Sequence, residues 1–341
     1  MNALNFIPVI PQEKRYWLVR TQGGRYYDNY KRGGFIAINW DQITYEDIDS
    51  LSPEDLVRKV KKEYPDKPNA QRSANMLRIF HQLIKPGDAV VITGPSSNVL
   101  SIGEITDEPP YIEIVTEQQL EANPRLCPYQ KRRRVKWLNT VNKVDVEKDL
   151  FQLLQHAQHT ISEANSYADS IERLIRNFYI RGDQAHLVLQ VKKEGKIPMP
   201  DFYRMGSEII DLVEQFSKES KDFSINLEEV EIKVNVQSPG MITFGGKLLV
   251  VSIIGFIIVA AVGGGVTIPL PPSTGMDPIE IHLNGAIREV SDFLDKKQAR
   301  DQQELLLKTH MEHLDVKAPD DLVKLLKAVE SVNGQNTTSE K

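Results

Sequence analysis

Between Leu248 and Ile268 the chain reads LLVVSIIGFIIVAAVGGGVTI, 21 residues without one ionisable side chain. A helix of about 20 apolar residues spans the hydrocarbon of a bilayer, because it satisfies its own backbone where no water is present. The run predicts a transmembrane segment, placed at residues 247–271, with Gly255 and Gly263 to Gly265 permitting close approach of another helix. The alternative is a buried pair of strands turning at the glycine triplet, which the many β-branched residues would favour. Flanking charge does not orient the segment. Lys247 lies on one side, while Arg288, Lys296, Lys297 and Arg300 lie well beyond the other.

Elsewhere the chain is ordinary: of 341 residues, 40% are hydrophobic and 26% charged, which excludes a polytopic membrane protein and wholesale disorder. The length predicts two domains and a smaller third piece. The net charge of −5 conceals an asymmetry, because residues 1–140 carry 20 Lys+Arg against 17 Asp+Glu and the remainder 22 against 30. An anionic partner is therefore expected at the front half. One cysteine, Cys127, can form neither an internal disulfide nor a thiolate cluster, which points to a reducing compartment. The start, Met1-Asn-Ala-Leu-Asn-Phe-Ile-Pro, has neither a basic leader nor a signal-length apolar run, so export is not expected.

From Arg15 to Thr140, short apolar runs alternate with Gly, Pro, Asn and Asp. Strands are predicted at Tyr16 to Arg20, Gly34 to Asn39, Ala89 to Thr93, Leu100 to Ile105, Ile112 to Val115 and Arg133 to Leu138. Ser52-Pro53 starts a helix through Lys62, and Ala70 to Leu83 presents Ala74, Leu77, Phe80 and Ile84 at helical spacing. Strands around two helices imply a small barrel. Apolar spacing from Val144 to Ile180 predicts a connecting helix or hairpin. A strand at Ala185 to Lys192, a helix at Met199 to Ser217 and paired strands within Val230 to Phe244 predict an α+β module. A long helix from Pro278 to Leu314, a shorter one from Pro319 and a disordered end complete the chain.

The blocks YWLVRTQGG, GGFIAINW, FHQLIKPGDAVVI, SIGEI before Pro-Pro-Tyr, and RRRVKWL follow one another over residues 15–140. In that order they resemble the N-terminal PUA-like (EVE-related) domain of Mrr-type restriction proteins. The resemblance implies a small β-barrel with helices whose relatives bind modified bases or nucleotides on one face. Base recognition needs a flat apolar surface for stacking and fixed donors for base edges or phosphates. All three tryptophans, Trp17, Trp40 and Trp137, fall here and are candidate platforms; Arg20, Arg133 and Arg134, beside Lys131 and Arg132, are candidate donors. The competing reading packs each tryptophan in the core and leaves the basic run as a solvated strand start. Lys85-Pro-Gly-Asp88 and the paired glycines Gly23-Gly24 and Gly33-Gly34 read as turns, since no Gly-Lys-Ser/Thr follows.

Mrr-type proteins often carry a metal-dependent nuclease with Gln-x-Lys on a core strand, and Gln190-Val-Lys192 supplies those letters. Holding Mg²⁺ on a phosphate needs an upstream carboxylate. Asp183 and Asp169 are available, but the family's Gly-rich, Asp-bearing strand is missing. His156 and His159, like His310 and His313, have i, i+3 spacing and could make half of a metal site. Neither pair has a Cys or carboxylate third ligand at zinc spacing, so surface histidines are expected.

The sequence thus predicts an α+β chain with five parts: a PUA-like barrel (1–142), a helical connector (143–182), an α+β module (183–246), the hydrophobic segment (247–271) and a helical tail (272–341). The expected role is a sensor of a modified base in nucleic acid, or of a nucleotide, coupled to a membrane-associated part in a restriction or anti-phage system. No catalytic residue, cofactor or metal is assigned. Homo-oligomers are possible partners, and the barrel is expected in the cytoplasm, anchored to the membrane or free. The rival readings are an Mrr-type nuclease through Gln190 and Lys192, and a soluble oligomeric scaffold with Leu248 to Ile268 as interior.

Overall fold

A computed structural model describes residues 7–106, 109–156, 159–235, 240–263, 278–295, 301–324 and 326. The chain divides into two compact units, Glu13–Ile175 and a second made of Met1–Gln12 with Arg176–Lys341. Both mix helices and strands, so the α+β class stands. The first strand, β1 (Val9–Ile10), belongs to the second unit.

The Glu13–Ile175 unit holds β2 (Tyr16–Val19), α1 (Tyr27–Gly33), β3 (Phe35–Ile38), α2 (Tyr45–Ser50), α3 (Pro53–Glu63), α4 (Ala70–Arg78), β4 (Ala89–Thr93) and β5 (Val99–Ile105). It continues with β6 (Tyr111–Ile112), α5 (Glu117–Ala122), β7 (Lys131–Asn142), α6 (Lys148–His156), β8 (Ile161–Glu163) and α7 (Ala168–Ile175). The strands form one curled half-barrel in the order β3-β7-β5-β4-β2-β8, with β6 also on β7. The long β7 makes the curl, pairing β3 and β6 through its first four residues and β5 through the rest. β2 and β4 run parallel, consistent with the helices that connect them, and every residue of β2 is buried.

Local chemistry sets the helix starts. Thr44 and Asp47 close a capping box on α2, Ser52 caps α3 before Pro53, and Asn69 caps α4. The helix predicted over Ala70 to Leu83 exists, but its last turn, Ile79–Leu83, widens to π geometry. The Lys85 to Asp88 turn does more than reverse the chain. The buried Asp88 carboxylate accepts from the Trp17 indole (2.9 Å), Lys85 N (2.9 Å) and Arg15 N (3.0 Å).

The span 143–182 is not a separate helical connector. Its apolar stripe is divided between α6, β8 and α7, and β8 pairs antiparallel with β2, which draws the chain as far as Ile175 into the first unit.

In the second unit, β9 (Phe178–Arg181), β10 (Gln184–Val191), α8 (Met199–Glu219), β11 (Glu231–Asn235) and β12 (Gly240–Lys247) precede α9 (Leu248–Gly263), α10 (Pro278–Asp295) and α11 (Asp301–His313). The sheet order is β1-β9-β10-β12-β11. Of the long predicted tail helix, the described residues form α10 and α11, and residues 296–300 between them lie outside the described residues. Ser238 and Pro239 of the turn before β12 and the end of the tail lie outside the described residues.

The transmembrane expectation for 247–271 is corrected here. The run begins as α9, whose 16 residues reach about 24 Å at 1.5 Å per residue, less than the roughly 30 Å of bilayer hydrocarbon. Among the described residues no helix is long and apolar enough to cross a membrane. Instead α9 packs against β10, β12, α8, α10 and α11. Val251, Ile253, Ile254, Phe256, Ile257, Ile258 and Val259 are all at most 1% exposed, so the helix is apolar on every side because protein covers every side. Gly255 does allow close packing, but of the Leu322 side chain: a Cβ there would stand 2.3 Å from Leu322 Cδ1. Nor is this stretch a strand pair. Residues 264–268 lie outside the described residues.

Candidate functional site

The first unit opens a cleft of about 550 Å³ lined by Arg20, Gln22, Gly23, Asn39, Trp40, Lys67, Tyr129 and Thr160. Its walls are strand ends. Arg20 follows β2, Asn39 and Trp40 follow β3, Tyr129 precedes β7 and Thr160 precedes β8, while Lys67 sits in the turn between α3 and α4. Arg20 N donates to Thr160 O at 2.9 Å, which fixes the floor. The next turn holds Gln22, Gly23 and Gly24 at φ of 55°, 64° and 92°. Gly24 must lack a side chain, because a Cβ there would lie 2.3 Å from Pro95 N.

Trp40 is held in an unusual state. Its φ is +72°, a left-handed conformation that costs a bulky residue about 1–3 kcal/mol and needs surrounding structure to enforce it. Asn39 Oδ1 accepts from Trp40 N at 2.6 Å, and Trp40 O accepts from Ile43 N at 3.0 Å and Lys131 Nζ at 2.9 Å. The indole is half-buried, and its Nε1 is withdrawn from water with no hydrogen-bond partner among the described residues. Tyr129, which also lines the cleft, packs edge-on to Tyr26 at 5.3 Å. Burial pushes its phenol up to about 12, so the hydroxyl stays protonated at neutral pH.

The basic run is a brace rather than a ligand surface. Lys131 is 1% exposed and grips the Trp40 carbonyl, and burial lowers its pKa, with Asp41 opposing. Arg132 donates through Nε to Tyr129 O at 3.1 Å and stacks 4.2 Å over the Phe35 ring. Successive residues of β7 thus hold the two aromatic walls from behind. Arg133 is buried and donates to Phe80 O (2.6 Å) and His81 O (2.9 Å), carbonyls that the π-helical turn leaves without helical partners. Arg134 is exposed, 5.0 Å from the Tyr111 ring, away from the cleft.

Of the six predicted site residues, the structure therefore brings together two, Arg20 and Trp40. Trp17 is sealed in the core at 2% exposure on Asp88, and the Trp137 indole donates to Tyr30 O at 3.0 Å. Lys67, Tyr129, Gln22, Asn39 and Thr160 complete the lining, and the sequence reading does not point to them. Tyr129 carried a usable signal, an aromatic just before the basic run; the others are turn residues whose convergence is purely tertiary.

A second concavity of about 300 Å³ shares Arg20 and Gly23 and is otherwise lined by Leu18, Thr21, Thr93, Gly94, Ser96, Ser97 and Leu154. Arg20 stands between an aromatic chamber and a hydroxyl-rich one.

The nuclease residues gain no support. Gln190 pairs with Met241 on β12, and Lys192 N donates to Asp315 O at 3.2 Å. Among the described residues, neither Asp169 nor Asp183, the carboxylates that chemistry would need, joins a group of His, Cys, Asp and Glu close enough to share a metal ion.

Fold and cleft define an α+β unit with a half-open pocket that presents two aromatic rings and two cations. Residues 16–165 match the model of a family described as a domain of unknown function (DUF8426). Its limits meet in space: Tyr16 N donates to Asn165 Oδ1 at 2.8 Å. No curated protein and no solved structure matches the chain.

Proposed function

We propose that the Glu13–Ile175 unit is a binding module for a planar heterocycle bearing phosphate, either a modified base in nucleic acid or a nucleotide. The observation that carries this reading is Trp40: a half-open indole forced to positive φ, with an unused N–H, beside Arg20. The base stacks between Trp40 and Tyr129, and Asn39 and Gln22 offer amide groups to its edge. Arg20 and Lys67 bind phosphate, and the hydroxyls of Ser96 and Ser97 receive the sugar or a further phosphate. The likeness of the five sequence blocks to PUA-like domains of restriction proteins supports the same role and a restriction or defence setting. The buried lone thiol Cys127 fits a reducing, cytoplasmic setting.

The test is equilibrium binding of oligonucleotides carrying modified cytosines or adenines, and of free nucleotides, at stated salt. One class should saturate, and Arg20→Ala should flatten the salt dependence by about 0.7 in log K against log salt on a single strand. Binding that ignores both Trp40→Ala and Arg20→Ala overturns the reading.

A further inference from the structure

We propose that Asp201, His310 and His313 form a site for one divalent transition-metal ion of the zinc type, clamping α11 onto α8. The site lies wholly within the second unit and is separate from the cleft above.

The sequence offers half of it, two histidines at i, i+3 on α11. The third ligand comes from 109 residues earlier in the chain, in the first turn of α8. Asp201 Oδ1 lies 2.9 Å from His310 Nδ1 and 3.2 Å from His313 Nδ1, and one ligand atom from each residue falls within 4.8 Å of the other two. Zinc–ligand bonds of about 2.0–2.2 Å place tetrahedral neighbours about 3.3–3.6 Å apart, so the two Asp201–histidine distances need to widen by only a few tenths of an ångström to admit an ion.

The backbone around the trio is already fixed. Lys192 N and Lys193 N donate to Asp315 O and Leu314 O, both at 3.2 Å, Val191 bridges to Val316, and Lys193 Nζ donates to His313 O at 2.7 Å. These bonds hold the end of α11 against the end of β10, so little ordering remains to be done when a metal arrives. Burial is graded: His310 is 8% exposed, Asp201 18% and His313 57%. One side of the ion would face solvent, leaving room for water as a further ligand.

Two imidazoles and one carboxylate favour zinc and its neighbours over magnesium or calcium, which prefer all-oxygen shells. The last turn of α11 carries the negative end of the helix dipole, and Glu208, two turns along α8, adds negative charge near His310. Without metal, the carboxylate oxygen accepts from both Nδ1–H groups. On binding, each imidazole turns a bare Nδ1 lone pair to the ion and carries its remaining proton on Nε2.

Chelator-treated full-length protein is titrated with Co²⁺, followed by visible absorption, and then with Zn²⁺ in competition. The expected result is one Co²⁺ per chain with tetrahedral d–d absorption, displaced by Zn²⁺. His313→Asn, at the exposed ligand, should weaken binding at least tenfold with an unchanged circular dichroism spectrum, as should Asp201→Asn. His81→Asn, which alters the unrelated His81–Asp49 pair, should bind as the unmodified protein does. Zn²⁺ should raise the melting temperature of the unmodified protein and not of His313→Asn. Absence of saturable absorption, or a His313→Asn variant that binds as tightly as the unmodified protein, overturns the proposal.

Discussion

Lys14 Nζ lies 2.9 Å from Glu172 Oε1, with the lysine side chain 4% and the glutamate 0% exposed. The Tyr16 hydroxyl donates to the same oxygen at 2.8 Å, and Lys14 also reaches Glu104 at 2.6 Å. This buried network fastens the approach to β2 onto α7, a helix beyond the end of the family match. Removing one partner of a buried pair strands the other charge away from water, which costs about 3–5 kcal/mol. Glu172→Ala is expected near the lower end, since Glu104 still pairs the ammonium. Urea denaturation of the purified protein measures it, and a loss below about 1 kcal/mol would contradict the network.

The tryptophans separate function from folding. Trp40→Ala should weaken ligand binding about 5- to 150-fold, the worth of one base–aromatic stack, while leaving the unit folded. Trp17→Ala should instead cost about 3–5 kcal/mol of stability, because its ring fills the core and its N–H satisfies Asp88. Binding isotherms beside denaturation curves for both variants give the contrast. Equal effects of the two on binding at matched stability would remove Trp40 from the site.

Strands of the first unit were readable because their apolar runs are bounded by turn residues, and Ala89–Thr93 falls where the pattern places it. The span after Val144 was not. Helix-spaced Leu150, Leu153, Ile161 and Ile171 are all buried, but α6, β8 and α7 contribute them in turn, so the stripe records burial rather than a continuous helix. Leu248 to Ile268 failed for a related reason: hydropathy reports that a segment avoids water, and cannot say whether lipid or protein replaces it. The site was half legible for a third reason. Lys131 to Arg134 advertises positive charge, yet carbonyls of Trp40, Tyr129, Phe80 and His81 consume three of its four heads, a demand set only by the fold.

Adjacent arginines of β7 should behave oppositely. Arg133→Ala leaves the Phe80 and His81 carbonyls without their donor, at about 1–3 kcal/mol for each unsatisfied group. Lysine cannot replace it, lacking the fork that spans both oxygens. Arg134→Ala, on the exposed side of the strand, should stay within about 0.5 kcal/mol of the unmodified protein. Thermal melts of the two variants and of Arg133→Lys decide the matter.

Burial pushes the Cys127 thiol from its ordinary 9.0 up to about 11. The unfolded chain therefore releases this proton at lower pH than the native protein. Between those values the native state binds more protons, so stability is fully present below about pH 9 and falls as pH rises toward 11, at up to about 1.4 kcal/mol per pH unit. Cys127→Ala should flatten that part of the profile. Iodoacetamide should label the native thiol far more slowly at neutral pH than the urea-unfolded one; equal rates would show that the sulfur is accessible.

The interior position of α9 predicts a cost that a lipid-facing residue would not carry. Ile257 is surrounded by protein, so Ile257→Ala removes contacts and leaves a cavity, for about 2–5 kcal/mol. Leu305 on α11 is 63% exposed, and Leu305→Ala should fall within about 0.5 kcal/mol of the unmodified protein. A helix packed by protein on every face should repeat the large penalty at Ile254 and Ile258, neighbours three residues back and one ahead. A helix with one face toward lipid would instead show a cheap position among the three. Chemical denaturation of the three alanine variants in detergent-free buffer distinguishes the patterns, and a cheap substitution at any one would reopen the place of α9 in the core.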